Sequence, residues 1–327
     1  MIEQPISFES SGNILKGTLS MLNEKKIKYP AVLILSGSGP LNRDGNDAKG
    51  KLQLNLYKQL ASFITSLGFI TLRYDKRGIG ESEGDYFSTG MWDLVYDAKS
   101  AVQFLKNHPL VDDQRIIVLG HSEGTTLAVA LNTIEQIHGL ILLAGAGERL
   151  QEALLRQRKL AYQALNNLKG FKGKLIRMLN IEQKNEKKAK ALFNKILQTD
   201  KDVIKVQFQK INAKWFREHL QYDVLQDLEK VECPILAITG DKDIQADPEK
   251  LNRLPKLVKG DLEYYTIKNM DHVLKKQEDE VNILKIKKIY KENASKPLHD
   301  ELCFCLQKWL NNHYITKVNH HHLLNKK

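Results

Sequence analysis

Residues 120–124 read Gly-His-Ser-Glu-Gly, a G-x-S-x-G pentapeptide with a serine at its centre. Before it, Ile116, Ile117, Val118 and Leu119 form a short apolar run rich in β-branched residues; after it, Thr125–Asn132 continue with helix-compatible residues. A serine between a buried strand and a helix sits on a turn tight enough to strain its own backbone. The positions two residues to either side must then be nearly side-chain-free, a need that Gly120 and Gly124 meet. The Ser122 hydroxyl would stand above the sheet at a helix N-terminus, where partial positive charge favours a developing oxyanion. Taken alone, the pentapeptide is equally well a glycine-rich turn with an incidental serine, so its partners must decide.

A serine hydroxyl is a poor nucleophile unless a histidine takes its proton, and that histidine needs a carboxylate to hold its tautomer. His272 follows the last strand-like run, in Asn269-Met270-Asp271-His272, whereas His313 and His320–His322 lie in or near the tail. The acid is Asp241 or Asp243, both after the Pro234–Thr239 run. Asp243 is preferred, because Asp241 directly follows Gly240 and is suited to bracing the turn. Asp271 adjoins the base and should point away from it. Acyl transfer also needs two donors aimed at the tetrahedral oxygen. The Glu123 N–H, directly after the nucleophile, is one; Ser38 N–H, in Ser36-Gly37-Ser38-Gly39, is the other.

These groups need a scaffold that brings distant loops together. Pro5–Glu9 and Ile14–Ser20 read as an opening hairpin, and Ala31–Leu35, Phe69–Tyr74, the run before Gly120, and His138–Ala144 as buried strands. Leu52–Leu67 and Met91–Leu105 carry helical periodicity between them. Strands and helices alternating at this spacing predict a mostly parallel sheet with right-handed crossovers. From Arg149 to Lys230 the alternation stops, no strand-like run is evident, and Leu, Ala, Lys and Gln predict helices alone. Pro234–Thr239 and Leu262–Ile267 resume the sheet, and Pro297–Asn311 closes it with a helix. The expected organisation is a core over 1–146 and 232–316, a helical cap over 147–231, and a basic, frayed tail over 317–327.

Composition narrows the partners. The 327 residues carry a net charge of +11. Between Glu148 and Lys230 there are 19 Lys/Arg against 10 Asp/Glu, so nearly all of the excess belongs to one segment. It has few aromatics among its lysines and no nucleic-acid motif, which argues against nucleic acid; the lysines between Lys169 and Lys214 are expected to face solvent. Neither Gly37-x-Gly39 nor Gly78-x-Gly80 extends to a nucleotide-binding fingerprint. Three cysteines suit reduced thiols in a cytoplasm better than a disulfide framework or a zinc site. The N-terminus has no signal-peptide pattern, and no apolar run approaches the ~20 residues of a membrane-spanning helix. No metal or cofactor is called for.

With Ser36-Gly37-Ser38-Gly39-Pro40-Leu41-Asn42-Arg43-Asp44-Gly45-Asn46, Asp75–Ser82 (DKRGIGES), GHSEG, WFREHLQYD from Trp215, CPILAITGDKDIQ from Cys233, and NMDH at 269–272, the sequence resembles the α/β-hydrolases, specifically the bacterial carboxylesterases with a helical lid. The resemblance implies an α/β-hydrolase fold with an inserted cap and a Ser122–His272–Asp243 triad. It further implies oxyanion donors at Ser38 and Glu123, and a pocket lined by Trp215, Phe216 and His121. Many members have His-Gly where this chain has Ser36-Gly37, which bears on the aim of Ser38. Phe193 and Phe208 are further candidates to hold an acyl chain. The leading expectation is a serine esterase acting on small to medium acyl esters. A serine aminopeptidase would need carboxylates, such as Glu218 or Asp223, turned inward; an acyl-CoA thioesterase would suit a basic cap. A non-catalytic binding protein on this fold would usually lack a triad member.

Overall fold

A computed structural model describes residues 1–23, 28–178 and 181–315. The expected basic tail at 317–327 lies outside the described residues. The first half of the chain supplies β1 (Ile2–Ser10), β2 (Asn13–Met21), β3 (Tyr29–Leu35), α1 (Leu56–Ser66), β4 (Ile70–Tyr74), α2 (Met91–Lys106), β5 (Val111–His121), α3 (Glu123–Asn132) and β6 (Gly139–Leu143). The chain then leaves the sheet for α4 (Leu150–Asn166), α5 (Gly170–Met178), α6 (Ile181–Leu197), β7 (Val203–Val206), β8 (Gln209–Asn212), α7 (Ala213–Gln221) and α8 (Val224–Leu228). It returns through β9 (Ile235–Gly240), α9 (Leu254–Leu257), β10 (Leu262–Ile267), α10 (Ile286–Asn293) and α11 (Asp300–Tyr314).

Eight strands form one sheet in the order β1-β2-β4-β3-β5-β6-β9-β10. Only the β1/β2 and β2/β4 pairs are antiparallel; β4, β3, β5, β6, β9 and β10 run parallel. The apolar runs read as central strands are buried on both faces. Ala31, Leu33 and Leu35 of β3 enter one hydrophobic layer with α2 and α3, while Val32 and Ile34 enter the other with α1 and α11. This period-two alternation is why a strand covered on both sides reads as one continuous apolar run. The edge strand β1 is exposed along most of its length and tolerates Pro5 there. From β3 the chain turns to β4 on one side and later to β5 on the other, so the loops after β3 and β5 diverge. That divergence opens a crevice at the carboxyl ends of the strands, where ligands bind in open α/β sheets.

Two expectations are corrected. Helix α1 starts at Leu56, not Leu52. The Asp47 carboxylate accepts from the N–H groups of Lys49, Lys51 and Leu52, and Gln53 bridges to Asn46, so residues 49–53 belong to a pinned loop. The inserted stretch is not purely helical, because β7 and β8 form an antiparallel hairpin. Its tip, Gln207-Phe208, takes left-handed backbone at both residues (φ 48° and 67°) without the Asn or Gly that usually marks such a turn. Ile196, Ile204 and Ala213 make a small core beneath it, with Phe193 and Phe216 packed alongside.

Candidate active site

The end of β5 delivers Ser122. Its φ of 55° and ψ of −119° lie outside the common regions for a side-chain-bearing residue, and its N–H donates to Leu143 O at 2.9 Å. A Cβ on Gly120 would come within 2.1 Å of Gly124 O, and one on Gly124 within 2.3 Å of Leu35 O. The two glycines are thus required by backbone packed against backbone.

Ser122 Oγ lies 3.1 Å from His272 Nε2, and His272 Nδ1 lies 2.8 Å from Asp243 Oδ2. A carboxylate can only accept, so Nδ1 carries the proton and Nε2 presents a lone pair to the serine hydroxyl. The other Asp243 oxygen accepts from Gln245 N and Ala246 N, both at 2.8 Å, leaving the buried carboxylate little freedom to turn. Asp241 instead accepts from Asn269 N at 2.6 Å and braces the loop that carries His272. Close approach does the rest: a Cβ on Gly240 would fall 1.9 Å from Met270 O, so β9 and the histidine loop are in direct backbone contact. Asp271 turns away, accepting from Lys275 N and Asn293 Nδ2.

On the other side of Ser122, the loop after β3 places Ser38 beside the start of α3. Glu123 opens that helix, so its N–H is among the first-turn groups without an intrahelical acceptor. Gly37 N–H donates to Tyr57 Oη at 2.7 Å, and Tyr57 Oη lies 3.2 Å from His121 Nδ1. His121 Nε2 donates to the His272 carbonyl at 2.8 Å. This assignment leaves Nδ1 to accept from the tyrosine, which joins the Gly37 loop to the His272 loop through neutral groups. Burial, with His272 nearby, pushes His121 down to about 3, so it stays neutral. The departure from His-Gly to Ser36-Gly37 is thereby accompanied by a tyrosine and a second histidine that fix the loop.

Sequence reasoning missed Tyr57 and also Lys76, from the DKRG stretch after β4. The Lys76 ammonium is buried, donates to Gly37 O at 2.6 Å and lies 3.6 Å from Glu123 Oε2. Burial alone would raise the Glu123 carboxyl, but Lys76, His219 and Trp215 outweigh it and hold the group down to about 2. Trp215 Nε1 donates to Glu123 Oε1, and His219 Nε2 lies 3.3 Å from the same oxygen. Helix α7 is therefore gripped by the residue next to Ser122. Asp75, one residue earlier, accepts from Arg43 and from Glu81 N; a Cβ on Gly80 would sit 2.4 Å from that carboxylate. The Arg43 and Gly80 motifs thus lock two loops together.

Three cavities converge here. One of about 340 Å³ is lined by Ser38, Glu123, Tyr86, Phe87, Trp215 and Phe216. A second, of about 290 Å³, runs past Ser122 to Leu150 and Leu154, again against Trp215 and Phe216. A third, of about 230 Å³, is lined by Ser122, His121, His272, Leu54, Val273 and Tyr290. Phe193 packs instead against Phe216 in the small core of the insertion, and Phe208 is fully exposed at its hairpin tip, so neither lines these cavities. Among the described residues, no cluster of His, Cys, Asp and Glu could hold a metal ion, and no helix is long and apolar enough to cross a membrane.

A family model described as serine aminopeptidase, S33, matches residues 53–279, more than half of the chain. The chain belongs to this family of α/β-hydrolases. It is 28% identical over 243 residues to the esterase EstD of Thermotoga maritima, covering 74% of this chain; it spans about half (53%) of the length of that relative. Among solved structures, Est1E from Butyrivibrio proteoclasticus, with ferulic acid bound, superposes with a TM-score of 0.58 at 19% identity, over 88% of this chain and 96% of that one. The Pyrococcus furiosus esterase Pf2001 superposes with a TM-score of 0.58 at 15% identity, over 95% of this chain and 91% of that one. At these identities the structural likeness concerns the fold, which is the α/β-hydrolase fold expected from the motifs.

Proposed function

We propose that the protein is a serine carboxylesterase acting on small to medium acyl esters. The observation that carries this reading is the unbroken hydrogen-bonded chain from Asp243 through His272 to Ser122, placed where three partly apolar cavities meet. An esterase among its relatives supports it. In this mechanism Ser122 Oγ attacks the ester carbonyl while His272 Nε2 takes its proton, and Asp243 holds the imidazole and stabilises the imidazolium. The N–H groups of Ser38 and Glu123 receive the oxyanion. His272 returns the proton to the leaving alcohol, and water then hydrolyses the acyl-enzyme by the same route. The elements α4 to α8 act as a cap, with Trp215 and Phe216 facing the acyl group. No metal or cofactor takes part in these steps.

Membership of a serine aminopeptidase family raises peptide cleavage as the second reading. Recognising a free α-ammonium group requires an unspent carboxylate near Ser122, and the acids named for that role among the described residues each have a partner. Glu218 accepts from Trp92 N, and Asp223 holds Arg149 through both oxygens. Glu148 pairs with Arg156, and Glu123 is taken by Lys76, Trp215 and His219. Of the inserted lysines, Lys169, Lys174, Lys184, Lys187, Lys188 and Lys190 are exposed and Lys214 pairs with Asp93, whereas Lys210 lines the cavity beside Ser38 and Glu123, which is why acyl-CoA is kept as an arm of the test.

The test is a panel of p-nitrophenyl esters of rising chain length beside aminoacyl anilides and acyl-CoA, with Ser122→Ala alongside. Ester preference, with hydrolysis and fluorophosphonate labelling both lost in Ser122→Ala, is the expected result. Preference for anilides would move the assignment to an aminopeptidase, and full labelling of Ser122→Ala would overturn the triad.

A further inference from the structure

We propose that Lys76 is a positioning residue for the oxyanion site, acting through the Gly37–Ser38 peptide on one side and Glu123 on the other. The inference rests on the serine-esterase reading and assigns part of its machinery to a lysine that borders the cavity beside Ser38 while its ammonium is turned onto the Gly37 carbonyl and Glu123.

In a trans peptide the carbonyl and the following N–H point in opposite directions. The peptide joining Gly37 to Ser38 contains the Gly37 carbonyl and the Ser38 N–H, and the chain has no cis bond among its described residues. Lys76 Nζ holds that carbonyl at 2.6 Å from behind. Fixing the carbonyl fixes the direction of Ser38 N–H, which lies on the opposite side of the plane. The Gly37 N–H is already committed to Tyr57 Oη, so each end of the Gly37 unit is anchored by a buried side chain. Without Lys76, the peptide could rotate about the bonds flanking it, and Gly39 at φ 96° offers no resistance.

The same ammonium lies 3.6 Å from Glu123 Oε2, and that oxygen has no hydrogen-bond partner of its own among the described residues. The second oxyanion donor is the N–H of Glu123, so one cation is tied to both donor-bearing residues. The two side chains are buried to similar degrees, 7% and 5% exposed. A buried ion pair between two loops is weak evidence for stability, since apolar residues often replace such pairs at no loss. Its use here is geometric: it sets the spacing between two loops whose N–H groups must converge on one oxygen.

The experiment compares Lys76→Met with the double variant Lys76→Met/Glu123→Gln, in the full chain, on a neutral p-nitrophenyl ester. The single variant leaves the Glu123 charge without its cation and should lower Tm; the double variant removes both charges and should recover most of it. If Lys76 aims the peptide, kcat should fall about 10- to 100-fold in both variants, less than or comparable to the loss of one oxyanion donor. KM should change by less than about threefold. The affinity of a trifluoromethyl ketone, which forms a hemiketal on Ser122 and places an oxyanion in the same site, should drop in parallel with kcat/KM. Recovery of kcat together with Tm in the double variant would show that Lys76 serves stability alone and would overturn the proposal. A rise in KM at unchanged kcat would overturn it too. If the single variant does not fold, the double variant still decides. Failure of the esterase reading is separately visible, as ester hydrolysis by wild type that survives Ser122→Ala.

Discussion

The sheet and the inserted elements are built to different standards. In β3, β9 and the stretch of β5 from Ile116 to His121 every residue is buried and each strand feeds two core layers, while α4 and α6, each 17 residues long, bury only Tyr162 and Ile196 respectively. Polar groups follow the same division. Around Ser122 the carboxylates, imidazoles and loop amides are committed to named partners, whereas most lysines of α5 and α6 meet solvent. The constraints therefore lie in the sheet: it fixes the positions of Ser122, His272 and Asp243 many times over, whereas the inserted elements are thinly packed.

The largest effect expected from this contrast concerns two aspartates on one turn. Asp243→Asn should lower kcat about 10³- to 10⁴-fold, because the imidazole loses both its tautomer and the partner of its imidazolium. Asp241→Asn, which loosens only the Asn269 N–H contact, should cost less than about tenfold. Steady-state kinetics of the two variants measure the ratio; a reversed order would move the acid to Asp241.

Next comes the mechanical version. Leu140→Ala opens a cavity in a strand buried on both faces and should cost about 2–5 kcal/mol of global stability in denaturant melts. Ile196→Ala removes an equally buried side chain, yet from the small core of the insertion. Its effect should appear as faster amide exchange across α6, β7 and α7, with little change in the exchange of β5 and β6. Uniform acceleration over both regions would mean that the insertion and the sheet unfold as one unit.

Acid should weaken the junction between the two. Glu123 is depressed to about 2 in the fold, so the stability it contributes is complete above the ordinary carboxylate range and is lost as pH falls toward 2. His121, neutral in the fold and pushed to about 3, acts in the same direction from about pH 6.5 downward, because the unfolded chain takes up the proton first. Tm should therefore fall on acidification below neutrality. The fall should be shallower in Glu123→Gln below pH 4.5, as thermal melts across pH can resolve.

The smallest expected effect is none at all. Raising ionic strength from low to 0.5 M should leave kcat/KM for a neutral butyrate ester within about twofold, since the substrate carries no net charge for exposed lysines to attract and added salt shortens the Debye length from about 30 Å at 0.01 M to ~10 Å at 0.1 M and less beyond. A steep salt dependence would place several of them at the cavity mouth.

What could be read from the residues follows the same boundary. The β-branched runs, the glycines around Ser122, and His272 after the last strand were legible because each is dictated over a few neighbouring residues. Asp243 was preferred because Asp241, directly after Gly240, suits bracing the turn; the structure sets Asp241 on Asn269 N and Asp243 on His272 Nδ1. Lys76 and Tyr57 were not. Their roles exist only once β4 and α1 are packed beside the loop after β3, and neither side chain announces that by local pattern. The β7–β8 hairpin was hidden by its short strands and by a turn of Gln207-Phe208 that carries no glycine or asparagine. Phe208 resembled a pocket residue by type alone, and its fully exposed place at the tip depends on that unread turn.

β6 and β9 are direct parallel neighbours, paired from Leu140 opposite Ile235 to Leu143 opposite Ile238. The chain that departs after one strand thus re-enters the ladder in the adjoining lane, and the intervening residues form, topologically, one long loop. Closing such a loop becomes only slowly more costly as it lengthens, by about 0.6 kcal/mol for each doubling. The segment between these strands is accordingly a cassette: it can be shortened, extended or exchanged for another while the ladder on both sides stays in register. Any replacement has one local condition to meet, an indole or its equivalent brought to the Glu123 carboxylate as Trp215 is here.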